Sequence, residues 1–203
     1  MTPTPKSLSP TARVLMGPGP SPTAPSVYEA LSKPTLGHLD PEFLVVMDEV
    51  REMQRAVMGT ENELTMPMSG TGSAGMETCL VNLIQPGDKV LVGVNGVFGT
   101  RMVDVAQRAG AIVTEAQSEW GRALDPELLR EAADGKQHHL VCVVHAETST
   151  GVLQEVAPVR EVADELGAMF LLDCVTSLGG LRVSLDEWGV DAAYSGTQKC
   201  LGC

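Results

Sequence analysis

The sequence predicts an α/β fold, a mainly parallel sheet with helices on both faces. Continuous apolar runs closed by turn residues recur at 89–94, 139–144 and 169–172, the pattern of strands buried on both sides. Between them stand helical segments, one opened by an explicit start signal at Asp125-Pro126-Glu127, so strand and helix alternate, the order that builds parallel sheets through crossovers. At 203 residues, 43% hydrophobic and 20% charged, the chain has the size and composition of an ordinary globular protein able to bury a core.

Residues 1–26 are rich in Pro, Ser and Thr and read as an extended arm holding a rigid turn, Gly17-Pro-Gly-Pro-Ser21-Pro. The arm is either a linker or a segment that lies against a site. The folded body follows, residues 27–203. Asp40-Pro41-Glu42 is a helix start, with Asp as N-cap, Pro at the first helical position and an acid in the first turn. Phe43, Leu44, Met47, Val50, Met53 and Val57 recur helically to Met58, and Gly59 stops the helix. Leu64–Met68 reads as a short strand or turn. A helix opens inside Ser69-Gly-Thr-Gly-Ser-Ala-Gly75 and runs through Met76, Cys79, Leu80 and Leu83 to end before Gln85.

A strand at 89–94, a turn at 95–99 and a helix to Arg108 come next, followed by a strand at 111–114. Asp125-Pro126-Glu127 starts a second capped helix that reaches about Ala133. After the strand at 139–144 come a polar loop, His145–Gly151, a helix at 156–166 and the strand at 169–172. The last apolar run, Ala192–Tyr194, leads into Ser195-Gly-Thr-Gln-Lys199.

The formal charge is 14 − 26 = −12. With no Lys/Arg cluster, that balance argues against a nucleic-acid or anionic-membrane surface. No apolar run is long enough to span a bilayer. The N-terminus lacks an apolar signal core and an Arg-rich transit pattern, so the expected location is the cytoplasm. The five cysteines are Cys79, Cys142, Cys174, Cys200 and Cys203; an odd count argues against a disulfide framework. Cys200-Leu-Gly-Cys203 has C-x-x-C spacing without a second ligand pair, so no metal is expected.

In open α/β sheets ligands bind beyond the carboxyl ends of the strands, and several polar or aromatic residues fall there. The turn Gly70-Thr71-Gly72-Ser73 opens a helix, where free N–H groups and the helix dipole can hold an anion; the alternative is a plain connection of small residues. Gly70-x-Gly72-x-x-Gly75 matches the letters of the dinucleotide fingerprint without its later acid, and it lacks the Gly-Lys-Ser/Thr of a P-loop. Phe98 follows one strand and either stacks on a flat ring or packs under a loop. His145 follows another and reads as a loop-fixing residue, and His38 as a structural or solvated loop histidine. Asp173 ends the 169–172 strand as either a turn residue or a site acid, and Lys199 follows the last run. An acid and an amine so placed are the pair that serves pyridoxal phosphate, the amine forming a Schiff base and the acid pairing with the pyridinium nitrogen.

These motifs together resemble the class V branch of fold-type I pyridoxal-phosphate enzymes. Within it the chain is most similar to the alanine–glyoxylate and serine–glyoxylate (serine–pyruvate) aminotransferases. The resemblance rests on Met16-Gly-Pro-Gly-Pro-Ser21, Gly37-His38, Ser69–Gly75, Asn95-Gly-Val-Phe-Gly99, Glu147-Thr-Ser-Thr-Gly151, Asp173–Gly180 and Ser195-Gly-Thr-Gln-Lys199. It implies that Lys199 is the Schiff-base lysine and proton carrier, and that Asp173 keeps the pyridine nitrogen protonated. It further implies that Gly70, Thr71, Gly72 and Ser73 hold the phosphate with Gln198 nearby. Phe98, where relatives often carry tryptophan, and Val175 would then cover opposite ring faces, Ser149 would approach the phenolic oxygen, and the Gly-Pro-Gly-Pro arm would border the substrate pocket.

The implied reaction is transamination between a small amino acid, alanine or serine, and glyoxylate or pyruvate, in a homodimer. The family continues past the lysine into a smaller C-terminal domain that carries the substrate-carboxylate arginine. The resemblance therefore implies that residues 27–203 are a partial cofactor-binding large domain with the small domain absent. A cysteine desulfurase-like protein is disfavoured, because that group usually carries histidine where Gln198 and Phe98 stand. A phosphonate or phosphoserine aminotransferase and a truncated, non-catalytic remnant stay open.

Overall fold

The computed structural model describes residues 9–203, so the first part of the arm lies outside the described residues. Helix α1 (Pro25–Leu31) follows the arm directly, with Pro25 at its first position. Helix α2 (Pro41–Met58) keeps the start and stop written in its sequence. The Asp40 carboxylate accepts the Glu42 N–H at 2.9 Å, and Gly59 closes the helix in the left-handed region at φ 62°. Helix α3 (Gly72–Leu83) opens at the glycine-rich turn, with Thr71 as its N-cap residue. Strand β1 (Lys89–Val94), helix α4 (Val97–Arg108) and strand β2 (Ile112–Gln117) follow. Helix α5 (Pro126–Ala133) is capped by Asp125, which accepts the Glu127 N–H at 3.0 Å. Then come strand β3 (Leu140–Val144), a hairpin of β4 (Ala146–Glu147) and β5 (Val152–Leu153), helix α6 (Ala157–Glu165), and strands β6 (Met169–Asp173) and β7 (Ala192–Tyr194).

The sheet runs β2-β1-β3-β6-β7, every neighbouring pair parallel. Its register puts Val144 beside Asp173 and Asp173 beside Tyr194, so three strand ends stand in a row. Side chains alternate across the sheet. Val90, Val92, Cys142, Val144 and Leu171 pack with Met76 and Leu80 of α3 and Met102 and Ala106 of α4. Leu91, Val141, Val143, Phe170 and Leu172 pack with Leu129 of α5 and Val159, Val162 and Ala163 of α6. Covering both faces explains why these strands read as unbroken apolar runs, each large side chain contributing about 1.5–3 kcal/mol of burial.

The differences from the expectation are local. Helix α1 was not anticipated. Residues 64–68 form no strand. Helix α4 starts at Val97, inside the segment expected to be a turn. The polar loop after β3 folds into the β4–β5 hairpin, and β2 reaches Gln117. Helix α2 buries none of its residues, and Leu44, Val45, Val46, Met53 and Val57 of its apolar pattern and flanks are exposed. Among the described residues no helix is long and apolar enough to cross a membrane.

Candidate active site

Asp173 closes β6 at 3% exposure, on the sheet face that carries α3 and α4. Its Oδ1 accepts the Val175 N–H at 2.8 Å, and its Oδ2 accepts the Tyr194 hydroxyl at 2.7 Å. Burial pushes the Asp173 carboxyl up from an ordinary 3.8 to about 6. The two hydrogen bonds pull against that rise, and the charge of Glu147 adds to it. Burial and the neighbouring Asp173 charge push the Tyr194 hydroxyl up as well, so it remains a donor. No lysine, arginine or histidine pairs with Asp173 among the described residues.

The start of α3 lies beside this acid. A Cβ on Gly72 would stand 3.0 Å from Val175 Cγ2, and one on Gly75 would stand 3.1 Å from Tyr194 Cβ. Thr71 makes no side-chain cap, while its carbonyl takes the Ala74 and Gly75 N–H groups. That leaves the N–H groups of Gly72 and Ser73 for an outside acceptor. The Ser73 hydroxyl accepts Arg101 Nη1 at 2.9 Å, and the Arg101 guanidinium lies 5.8 Å from the centre of the half-buried Phe98 ring.

Phe98 is held from its other side. Glu147, 1% exposed, accepts the Phe98 N–H on Oε2 at 3.0 Å. Its Oε1 accepts the Ser149 N–H at 3.1 Å and the Ser149 hydroxyl at 2.7 Å. The Ser149 oxygen in turn accepts the Val97 N–H at 3.0 Å. Next to Ser149, the Thr148 hydroxyl reaches the Pro18 carbonyl at 3.4 Å.

The arm thus reaches the site. Lys199 is partly buried, and its Nζ donates to the same Pro18 carbonyl. Ser21 fastens the arm by donating its hydroxyl to the Lys199 carbonyl at 2.7 Å and its N–H to the Gln198 carbonyl at 3.3 Å. Gly19, at φ 125°, lies so near that a Cβ there would stand 2.6 Å from Nζ. Gln198 is exposed, with its side-chain oxygen against Gly196.

The expected site residues fall into groups of contacts. Asp173 holds the Val175 N–H beside Gly72; Ser149, Glu147, Phe98, Arg101 and Ser73 form a second run; and Lys199 meets the arm at the Pro18 carbonyl, which Thr148 also reaches. Gly70 and Thr71 stand exposed. His145 is the loop-fixing residue its position implied: it is 5% exposed, its Nδ1 lies 2.9 Å from Ser177 Oγ, and its ring meets Trp188 edge-on at 5.2 Å. His38 is exposed in the loop before α2. The five cysteines are free, Cys200 and Cys203 exposed.

Sequence reasoning overlooked Tyr194, Glu147, Arg101 and the Pro18 carbonyl. Tyr194 carried a usable signal, being one of only two tyrosines and standing at a strand end next to that of Asp173. Arg101 sits one helical turn from Phe98, but nothing in its spacing points to Ser73.

Residues 18–203 match the pattern of the family described as aminotransferase class-V. The chain belongs to that family. An alanine–glyoxylate aminotransferase of Drosophila melanogaster is 42% identical over 94% of this chain and 49% of its own length. An (S)-ureidoglycine–glyoxylate transaminase of Bacillus subtilis (strain 168) is 40% identical over 93% of the chain and 45% of its length. A crystal structure of an alanine–glyoxylate aminotransferase from Nostoc sp. superposes with a TM-score of 0.95 at 48% identity, over 98% of this chain and 53% of that one. This class V chain thus spans about half the length of the curated relatives it matches, and its fold is that of the large domain of fold-type I pyridoxal-phosphate transferases.

Proposed function

We propose that this chain supplies the pyridoxal-phosphate-binding half of an aminotransferase that passes the amino group of a small amino acid to glyoxylate, with alanine or serine as donor and pyruvate as a second keto acid. The observation that carries the reading is Asp173: a buried carboxylate with no cationic partner among the described residues, beside a helix start with free N–H groups. Such a donor set suits a flat group with a cationic nitrogen at one end and an anion at the other, and pyridoxal phosphate has both. When bound, it supplies the electron sink that transamination needs.

The chain's own residues divide the work. Lys199 would be the covalent attachment point, and its amine would move the proton. Asp173 would keep the ring nitrogen protonated, with Tyr194 and Val175 fixing the carboxylate. Gly70, Thr71, Gly72 and Ser73 would hold the phosphate, with Gln198 nearby. Phe98 and Val175 would cover the ring, and Ser149 would approach its phenolic oxygen. Residues 27–203 would form part of the cofactor-binding large domain, and no residue of this chain is assigned as the substrate-carboxylate clamp. The relatives' names differ in amino donor and share glyoxylate, which favours glyoxylate as acceptor. The exposed apolar residues of α2 support a homodimer.

The test is a visible spectrum on adding pyridoxal phosphate, then borohydride reduction and peptide mapping of the label. A label on Lys199, lost in Lys199→Ala, is the expected result. A label spread over surface lysines overturns the reading.

A further inference from the structure

Glu147 is a buried carboxylate with no role in the function proposed above. It is 1% exposed, and its two oxygens accept three hydrogen bonds, from the Phe98 N–H, the Ser149 N–H and the Ser149 hydroxyl. No cation pairs with it among the described residues. Burying a charge in this way is costly unless it is fully hydrogen-bonded, and the first turn of α4 adds a favourable dipole.

Helix α4 has no local cap. Its N-cap residue is Gly96, and the first-turn N–H groups of Val97 and Phe98 go instead to Ser149 Oγ and Glu147 Oε2. A serine or aspartate at position 96 would cap the helix just as well, but it would not tie the helix to the β4–β5 hairpin. It would also not fit, because a Cβ on Gly96 would stand 2.3 Å from Glu147 Cγ and 2.6 Å from Ser149 Oγ. The cap is thus delegated to a residue 49 positions away, and Gly96 leaves room for it.

We propose that Glu147 is a positioning residue: its carboxylate locks the start of α4, and with it Phe98, to the loop that carries Ser149, so that these two ring contacts keep one mutual placement. The proposal rests on the reading of Phe98 and Ser149 as ring contacts. A carboxylate is required there, because it offers acceptors on both oxygens. In glutamine one of those atoms becomes an NH2, which meets an N–H donor in either amide orientation.

The test compares wild type, Glu147→Gln and Gly96→Ala in the full protein. Amide hydrogen exchange is followed at Val97, Phe98 and Ser149 without cofactor, and visible circular dichroism is recorded with pyridoxal phosphate bound. In Glu147→Gln these amides exchange about tenfold or more faster while β1, β3 and β6 keep their rates, as loss of one charge-assisted bond predicts. The dichroism band changes amplitude as the ring loses its fixed seat. Gly96→Ala, which keeps the carboxylate but pushes it away, gives the same pattern. Unchanged rates at the three amides, or faster exchange across the whole sheet, overturn the proposal. A wild-type protein that takes up no pyridoxal phosphate overturns the function proposed above. Loosened amides with a wild-type dichroism band overturn only the role of Glu147.

Discussion

A single carboxylate illustrates how strongly this fold bears on one residue. Burial pushes the Asp173 carboxyl up to about 6, although Tyr194 and Val175 both stabilise its charged form. A carboxyl whose folded value lies above its ordinary 3.8 binds its proton more tightly folded than unfolded. The folded state is therefore favoured below pH 4, and the advantage is lost as pH rises through about 6. Without cofactor, unfolding free energy should fall by about 3 kcal/mol across that window. Urea titrations from pH 4 to 7 check this: Asp173→Asn should flatten the slope, and an unchanged slope would show that Asp173 does not titrate there. A cation brought against the carboxylate, such as a protonated pyridine, would reverse the shift.

At the scale of one element, α2 shows what a short stretch of sequence settles alone. Asp40, Pro41 and Gly59 write its two ends, and the structure keeps both. Gly59 is also fixed by its surroundings: at φ 62° a Cβ would stand 2.8 Å from the Ser184 Cα and 3.0 Å from the Val183 carbonyl oxygen. Gly59→Ala should therefore cost more than Gly87→Ala. Gly87, at φ 94° with nothing within 4 Å of its Cβ position, meets only the backbone penalty of about 1 kcal/mol. Equal midpoints in urea would defeat that comparison. Helix α4 is the opposite case. Its first turn is held by Glu147 and Ser149 on another element, so no residue near Val97 announces the start, and the segment reads as a turn. The β4–β5 hairpin was illegible for a related reason: its polar residues face Glu147 and the arm and lack the alternation that marks a half-buried strand.

At the scale of the whole molecule, α2 half-buries Phe43, Met47, Val50 and Met58 and leaves other apolar side chains on the outside. Leu44, Val45, Val46, Met53 and Val57 are between 45% and 58% exposed. Exposed apolar side chains gathered on one helix mark an interaction site, and a second copy is the proposed occupant. Light scattering of the full protein should give a dimer mass, and Val45→Glu with Met53→Glu should shift it toward the monomer. A monomeric wild type would remove the second copy as the explanation for that face.

The sequence by itself determined the layered α/β architecture, because strands buried on both faces must be continuously apolar and helical segments alternate with them along the chain. It also marked Lys199, Asp173, the Gly70–Ser73 turn and Phe98, since each stands at a strand end or helix start that local patterns define. Only the tertiary structure decided their partners. Tyr194 meets Asp173 because β6 and β7 pair in one register. Glu147 meets Phe98 because a hairpin packs on a helix 49 residues earlier in the chain. The arm lies on Lys199 through Ser21 and Pro18, across separations of 178 and 181 residues. Contacts of that kind depend on how the layers close over one another, and no local pattern of residues encodes them.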